Sequence, residues 1–114
     1  MHVTYEPADQ LEGGVIAQLA GTFDANGASL LWQTVSQRVN DQTRFIVFDF
    51  SNVTILTSAG IGTLVRLYTR LKGYGGGLAV FGCSEKVREI FAIVMLESIL
   101  NVVDAEDQAW ESLS

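Results

Sequence analysis

One proline, one cysteine and one histidine occur among the 114 residues, and basic side chains number only seven. The single cysteine, Cys83, has no partner for an internal disulfide. That fits a reducing compartment, and the cytoplasm is the expected location. His2, beside the chain start, and Cys83 are too few soft ligands for a metal site, so no metal and no cofactor is expected. Thirteen acidic residues against seven basic ones leave a net charge of −6. Nucleic acid needs a basic stripe, and an anionic membrane surface needs much the same, so neither is expected as a partner. A protein with a basic face remains compatible with the charge. The longest uninterrupted apolar run is Ile90–Leu96, far short of the ~20 residues of a membrane span. No basic segment precedes an apolar one at the start, so neither a signal peptide nor membrane insertion is expected.

What is present is ordinary for a globular chain, at 48% hydrophobic and 18% charged. The length predicts one domain over 1–114, which would bury roughly two-thirds of its unfolded surface. Val3–Tyr5 and Val15–Ala20 read as strands, joined through Leu11–Gly14 as a hairpin. Ala28, Leu31, Trp32, Val35 and Val39 recur at helical spacing, with Asn26 as a plausible N-cap. Arg44–Phe50 follows, apolar from Phe45 to Phe48, as a central strand covered on both faces would be. A second helix opens near Ser58, with Ile61, Leu64, Val65, Tyr68 and Leu71 as its apolar face and Arg66 and Arg70 opposite. Glycines at 73–77 end it. Leu78–Gly82 reads as a buried strand. Ser84 caps a third helix striped by Val87, Ile90, Phe91 and Val94. Ile99–Val103 reads as a last strand before a short helix with acids in its first turn, where the dipole favours them. The order β-β-α-β-α-β-α-β-α predicts an α/β fold, a mixed and mostly parallel sheet with an antiparallel N-terminal strand. Trp32, Tyr68 and Trp110 read as core or core-edge residues.

The stretch Thr57-Ser58-Ala59-Gly60 sits where the apolar strand gives way to the second helix. A serine at such a turn suggests a hydrolase nucleophile elbow, which needs glycine two residues before and after it. Gly60 satisfies one side, but Leu56 occupies the other. With His2 as the sole histidine, no conventional serine–histidine pair can be assembled. The Gly73–Gly77 run lacks the lysine and hydroxyl residue of a Walker loop, and Val65 stands where a dinucleotide fingerprint requires glycine. The simplest reading of Ser58 is a helix cap. Thr57 could serve equally, leaving Ser58 free at the first helical position.

Phe45–Gly82, "FIVFDFSNVTILTSAGIGTLVRLYTRLKGYGGGLAVFG", resembles the core of the bacterial anti-sigma-factor antagonists, the STAS domains. Asp49-Phe50-Ser51 matches that family's Asp-Leu-Ser at a strand end. Thr57-Ser58-Ala59-Gly60 matches its Asp-Ser-(Ser/Ala/Thr)-Gly opening a helix. The segment from Ala20 to Gly27 resembles its Gly-x-x-Asp stretch after the second strand. The likeness runs through nearly the whole chain. It implies a binding module and not an enzyme. Its partner would be an anti-sigma factor that is itself a serine protein kinase, with a phosphatase as the reset. Phosphorylation of Ser58 would switch binding off and so regulate transcription through a sigma factor.

Asp24, Asp49, Thr57, Ser58, Ala59, Gly60, Thr63, Arg66 and Leu67 are expected at the partner surface. Leu67 borders the apolar stripe and the Arg66/Arg70 side, where it could equally be a scattered exposed leucine. By pattern alone Asp24 also reads as a helix-entry cap, and Asp49 as a polar residue closing a buried strand. The family aspartate before the serine is Thr57 here. Three readings follow: Ser58 is phosphorylated, Thr57 is used instead, or the domain binds constitutively. In the last case it would be a non-switching subunit of a stress-signalling scaffold or a lipid-transport complex. A monomer or weak dimer is expected.

Overall fold

The computed structural model describes residues 1–114. Strands β1 (His2–Ala8), β2 (Gly14–Phe23), β3 (Phe45–Leu56) and β4 (Gly77–Phe81) form one sheet in the order β1-β2-β3-β4. β1 runs antiparallel to β2, and the β2–β3 and β3–β4 pairs are parallel. Helices α1 (Ala25–Val35), α2 (Ser58–Gly73), α3 (Glu85–Ile93) and α4 (Glu106–Leu113) complete the chain. None is long and apolar enough to cross a membrane.

Alternation along the central strands sorts the core between the two faces of the sheet. Ile46, Phe48 and Phe50 of β3 and Leu78 and Val80 of β4 join Leu31 and Val35 of α1 and Leu64, Leu67 and Leu71 of α2 in the main core. Val87 and Phe91 of α3 close the same cluster. Val47 and Ala79 point the other way, to Ala109 and Trp110 of α4. Ile46, Val47 and Phe48 are therefore all fully buried, as the unbroken apolar run predicts. Gly14 admits the Trp110 ring, because a Cβ there would stand 2.8 Å from it.

Three local expectations are corrected. The cap of α1 is not Asn26 but Asp24, in agreement with its pattern reading as a helix-entry cap: its carboxylate accepts the Gly27 N–H at 3.0 Å. The last expected strand shrinks to a single bridge, Val80 to Val102. Asn101 adopts φ 50°, which turns the chain out of an extended path, while Leu100 and Val102 still fill the core. β3 continues to Leu56, beyond Phe50. Two register shifts against β2 accommodate its extra residues, and the Asp49 carboxylate accepts the Ser51 N–H at 2.9 Å beside the first.

Ser84 caps α3 as expected, bonding the Val87 N–H. The other end of α3 is unusual. Met95 N–H bonds the Ala92 carbonyl and Leu96 N–H bonds the Phe91 carbonyl, both at 3.1 Å. That is the Schellman closure, and its left-handed position, φ 61°, is held by Met95 where glycine is the common choice. The conformation costs a side-chain-bearing residue about 1–2 kcal/mol. Met95→Gly should raise the melting temperature by about 2–4 °C in a calorimetric scan, part of the gain being offset by glycine's greater freedom in the unfolded chain. A fall would mean that the methionine side chain contributes packing.

Candidate functional site

β2 and β3 end together, with Phe23 opposite Leu56, so the turns into α1 and α2 lie side by side. A single carbonyl joins them. Phe23 O accepts the Thr57 hydroxyl at 2.9 Å and the Thr57 N–H at 3.1 Å. Gly60 seats the first turn of α2 against the same residue: a Cβ there would lie 2.8 Å from Phe23 O and 2.9 Å from its ring. Gly60→Ala should therefore cost about 1–3 kcal/mol. The expected readout is a drop of about 5–10 °C in melting temperature. A melt unchanged within error would show that the turn is free to shift.

The latch leaves the start of α2 without a cap. Thr57 occupies the N-cap position, but its side chain makes no bond to the helix. The first backbone N–H groups of a helix have no intrahelical acceptor, and together they carry a partial positive charge. Ser58 stands at the first helical position, exposed, with these donors behind it. Asp24, one residue beyond Phe23, spends its carboxylate on α1, so the two adjacent helix starts differ: one is capped and one is open.

Below the turn, α1 and α2 enclose a groove of about 540 Å³. Ala25, Ser29, Trp32 and Gln33 line one side, and Ala59, Gly62, Thr63 and Arg66 the other. The Arg66 guanidinium lies over the Trp32 ring, 3.9 Å from its centroid, and ties the two helices across the opening. Arg70 reaches back to the Ser36 carbonyl at 2.9 Å.

Of the residues expected at the surface, the structure brings Asp24, Thr57, Ser58, Ala59, Thr63 and Arg66 to this turn and groove. Thr63 is almost buried and forms part of the groove wall. Gly60 is buried against Phe23 and acts within the turn, not on its outside. Leu67 does not belong to the surface at all, being fully buried in the main core. The stripe of α2 centres on Ile61, Leu64, Leu67 and Leu71, while Val65 and Tyr68, expected inside, are half-buried at its border. Asp49 lies back along the sheet. Its β2 partner Gln18 and Phe23 are five residues apart, which at ~3.3 Å per residue puts Asp49 roughly 16 Å from the turn. It closes the β3–β4 pairing opposite Phe81. Ser29, Trp32 and Gln33 line the groove without a mark in the sequence: a half-buried aromatic at helical spacing reads as core, and two exposed polar residues read as an ordinary solvated face.

Cys83 has little nucleophilic character. Burial pushes its thiol up to about 11, against the opposing pull of Arg88, so at neutral pH it is protonated.

A family model described as STAS domain matches residues 6–109. The chain is 32% identical over 85 residues to a STAS-domain containing protein of Pseudomonas aeruginosa, spanning 75% of this chain and 83% of that one. It is 27% identical over 101 residues to BtrV of Bordetella bronchiseptica, which is named as an anti-sigma factor antagonist, over 89% of this chain and 87% of that protein. Among solved structures, an anti-sigma factor antagonist from Mycobacterium paratuberculosis superposes with a TM-score of 0.83 at 23% identity, covering 98% of this chain and 92% of that one. The unphosphorylated form of the anti-sigma factor antagonist SpoIIAA superposes with a TM-score of 0.80 at 18% identity, over 94% and 90% of the two chains. At these identities the structural likeness speaks for the fold alone.

Proposed function

The chain belongs to the STAS-domain family, and from that premise we propose that it is an anti-sigma factor antagonist switched by phosphorylation of Ser58. The observation that carries this reading is the exposed serine at an uncapped helix start. A phosphoryl group there brings about −1.5 to −2 charge and three acceptor oxygens to donors the fold leaves unused. The domain can hold that charge without refolding. A partner docked over the turn cannot, because it would bury the charge unpaired. In the unphosphorylated state the module binds its anti-sigma factor, a serine kinase, through the turn and the α1–α2 groove. Phosphorylation releases that partner, and a phosphatase restores binding. The activity is recognition, and no chemistry is assigned to the chain itself.

Ser58 is favoured over Thr57 as the acceptor. The Thr57 hydroxyl is committed to Phe23 O, whereas Ser58 faces outward. Thr57 in place of the family aspartate favours a second reading, a non-switching subunit of a stress-signalling scaffold or lipid-transport complex. Peptide mass spectrometry on the protein isolated from its host separates the two. Phosphate localised to Ser58 under some growth condition supports the switch. Its absence across growth and stress conditions, with Ser58→Ala and Ser58→Glu both harmless, supports the constitutive subunit.

A further inference from the structure

The chain carries a net charge of −6, yet the helix layer over one face of its sheet is positive. α1, the short helical turn Ser36–Arg38 and α2 cover the face that holds the main core. Residues 25–40 and 57–76 of that layer include Arg38, Arg66, Arg70 and Lys72, all exposed, and no acid. α4, on the opposite face, has Glu106, Asp107 and Glu111 and no base. Asp24, at the upper margin of the layer, is spent on capping α1, and Asp41 follows the layer in the loop to β3. Glu6 alternates with Tyr5 along β1, and Tyr5 packs on the main core, so Glu6 points to the other face.

These cations are held in place without being neutralised. Arg38 lies over the Tyr5 ring at 4.8 Å from its centroid, Arg66 over Trp32 at 3.9 Å and Lys72 over Tyr68 at 5.6 Å. Arg70 donates its Nε–H to the Ser36 carbonyl at 2.9 Å. A ring or a carbonyl orients a cation and leaves its charge unspent. Both ion pairs of the chain belong instead to Arg88 on α3, which meets Glu97 at 2.8 Å and Asp104 at 2.7 Å.

The nearest of these charges lies within reach of anything that covers the turn. Arg66 follows Ser58 by eight residues, about 12 Å along the helix at 1.5 Å per residue. A standard interface covers about 800 Å² on each partner, so one centred on the turn extends over Arg66. On the reading that the Ser58 turn is where the partner docks, we infer that the α1–α2 face receives an acidic surface of that partner protein. The total charge of the chain points the other way, to a basic partner, but association is steered by the face that docks. A phosphoryl group on Ser58 then sets about −1.5 to −2 charge against the cations of this face, so it weakens the attraction as well as obstructing the contact.

The test is stopped-flow association of the full unphosphorylated chain with the kinase-type anti-sigma factor of its host. Salt is varied from about 0.01 M to about 1 M, over which the screening length falls from roughly 30 Å to 3 Å. The association rate constant should fall by about tenfold or more over that range, with dissociation little changed. At low salt Arg66→Gln should slow association by about threefold and Arg66→Gln/Lys72→Gln by about tenfold, both converging on the parent chain at high salt. Glu111→Gln, on the opposite face, changes the net charge by the same amount as Arg66→Gln, yet should leave association within about twofold. Melting temperatures of all the variants should stay within a few degrees of the parent, so that slower association is not loss of fold. Association flat in salt, or unchanged in Arg66→Gln, would overturn the acidic partner surface and leave the docking site standing. Association that quickens with salt would make the partner's surface basic. No binding at any salt would remove the docking site, and the charge assignment with it. Binding of the chain alone to phosphatidylglycerol vesicles or to a DNA duplex, lost in the double variant, would assign the cations to a membrane or a nucleic acid.

Discussion

Leu67→Glu abolishes cooperative unfolding at room temperature: this is the expected result, and it differs from that of a surface substitution. Leu67 is fully buried among Leu64, Leu71 and the β3 side chains. Leu67→Ala alone should cost about 2–5 kcal/mol, from lost transfer free energy and the cavity left behind. Glutamate adds a carboxyl that must either ionise away from water or fold protonated, at several further kcal/mol. The whole stability of a domain this size is about 5–15 kcal/mol. Urea denaturation followed by circular dichroism is the check, with Leu67→Ala as the variant that still folds. Arg66→Ala, one position earlier, loses only the stack on Trp32 and should shift stability by about 0.5–1 kcal/mol. If Leu67→Glu melted within a few degrees of the parent chain, the assignment of α2's inner face would be wrong.

Phosphorylation at Ser58 should act on binding and hardly on folding. At the open start of α2 the phosphate meets the partial positive charge of the helix, worth about 0.3–1 kcal/mol in favour of the modified fold. In a complex that covers the turn, the same group is desolvated without partners, at a cost of several kcal/mol. A net loss of about 3 kcal/mol in affinity is more than a hundredfold in Kd. Calorimetric titration of the kinase-type anti-sigma factor from the host should show that loss for the phosphorylated chain, and a smaller one for Ser58→Glu. Thermal melts of the same samples should coincide within a few degrees. The loss should shrink as pH falls through about 6, where the phosphate returns from two charges towards one. Equal affinity of the two forms would remove Ser58 from the interface. A large fall in melting temperature would make the effect one of unfolding.

The alternation of strands and helices was legible because the elements are strongly patterned, and the doubly covered β3 declared itself by its unbroken apolar run. The centre of α2's stripe was harder to place. Leu64, Val65, Leu67 and Tyr68 are all apolar, and at about 100° per residue they span nearly half of the helix circumference, so the centre of the stripe is not marked. Long-range contacts fix the rotation: the tight seat of Gly60 on Phe23, Arg66 over Trp32 and Arg70 on the Ser36 carbonyl. The last strand failed for a different reason. Ile99–Val103 has strand composition, but its backbone leaves the sheet at Asn101 and delivers Leu100 and Val102 to the core from a turn. At the site, the serine and its neighbours could be named from the sequence alone. That Thr57 turns its hydroxyl away from its own helix is decided by a carbonyl 34 residues earlier in the chain. No local pattern carries that information.

Arg66 over Trp32 also gives the molecule an optical property. Its two tryptophans sit on opposite faces of the sheet. Trp32 is half-buried in the α1–α2 groove beneath a cation. Trp110 is buried between α4 and the sheet, its indole N–H held by Glu106 at 3.0 Å. A ligand that enters the groove displaces or covers the guanidinium and changes the emission of the first indole while leaving the second dark to the event. Global unfolding exposes both. The unlabelled chain therefore carries its own pair of fluorophores, one that reports occupancy of the groove and one that stands as an internal reference for the intact fold.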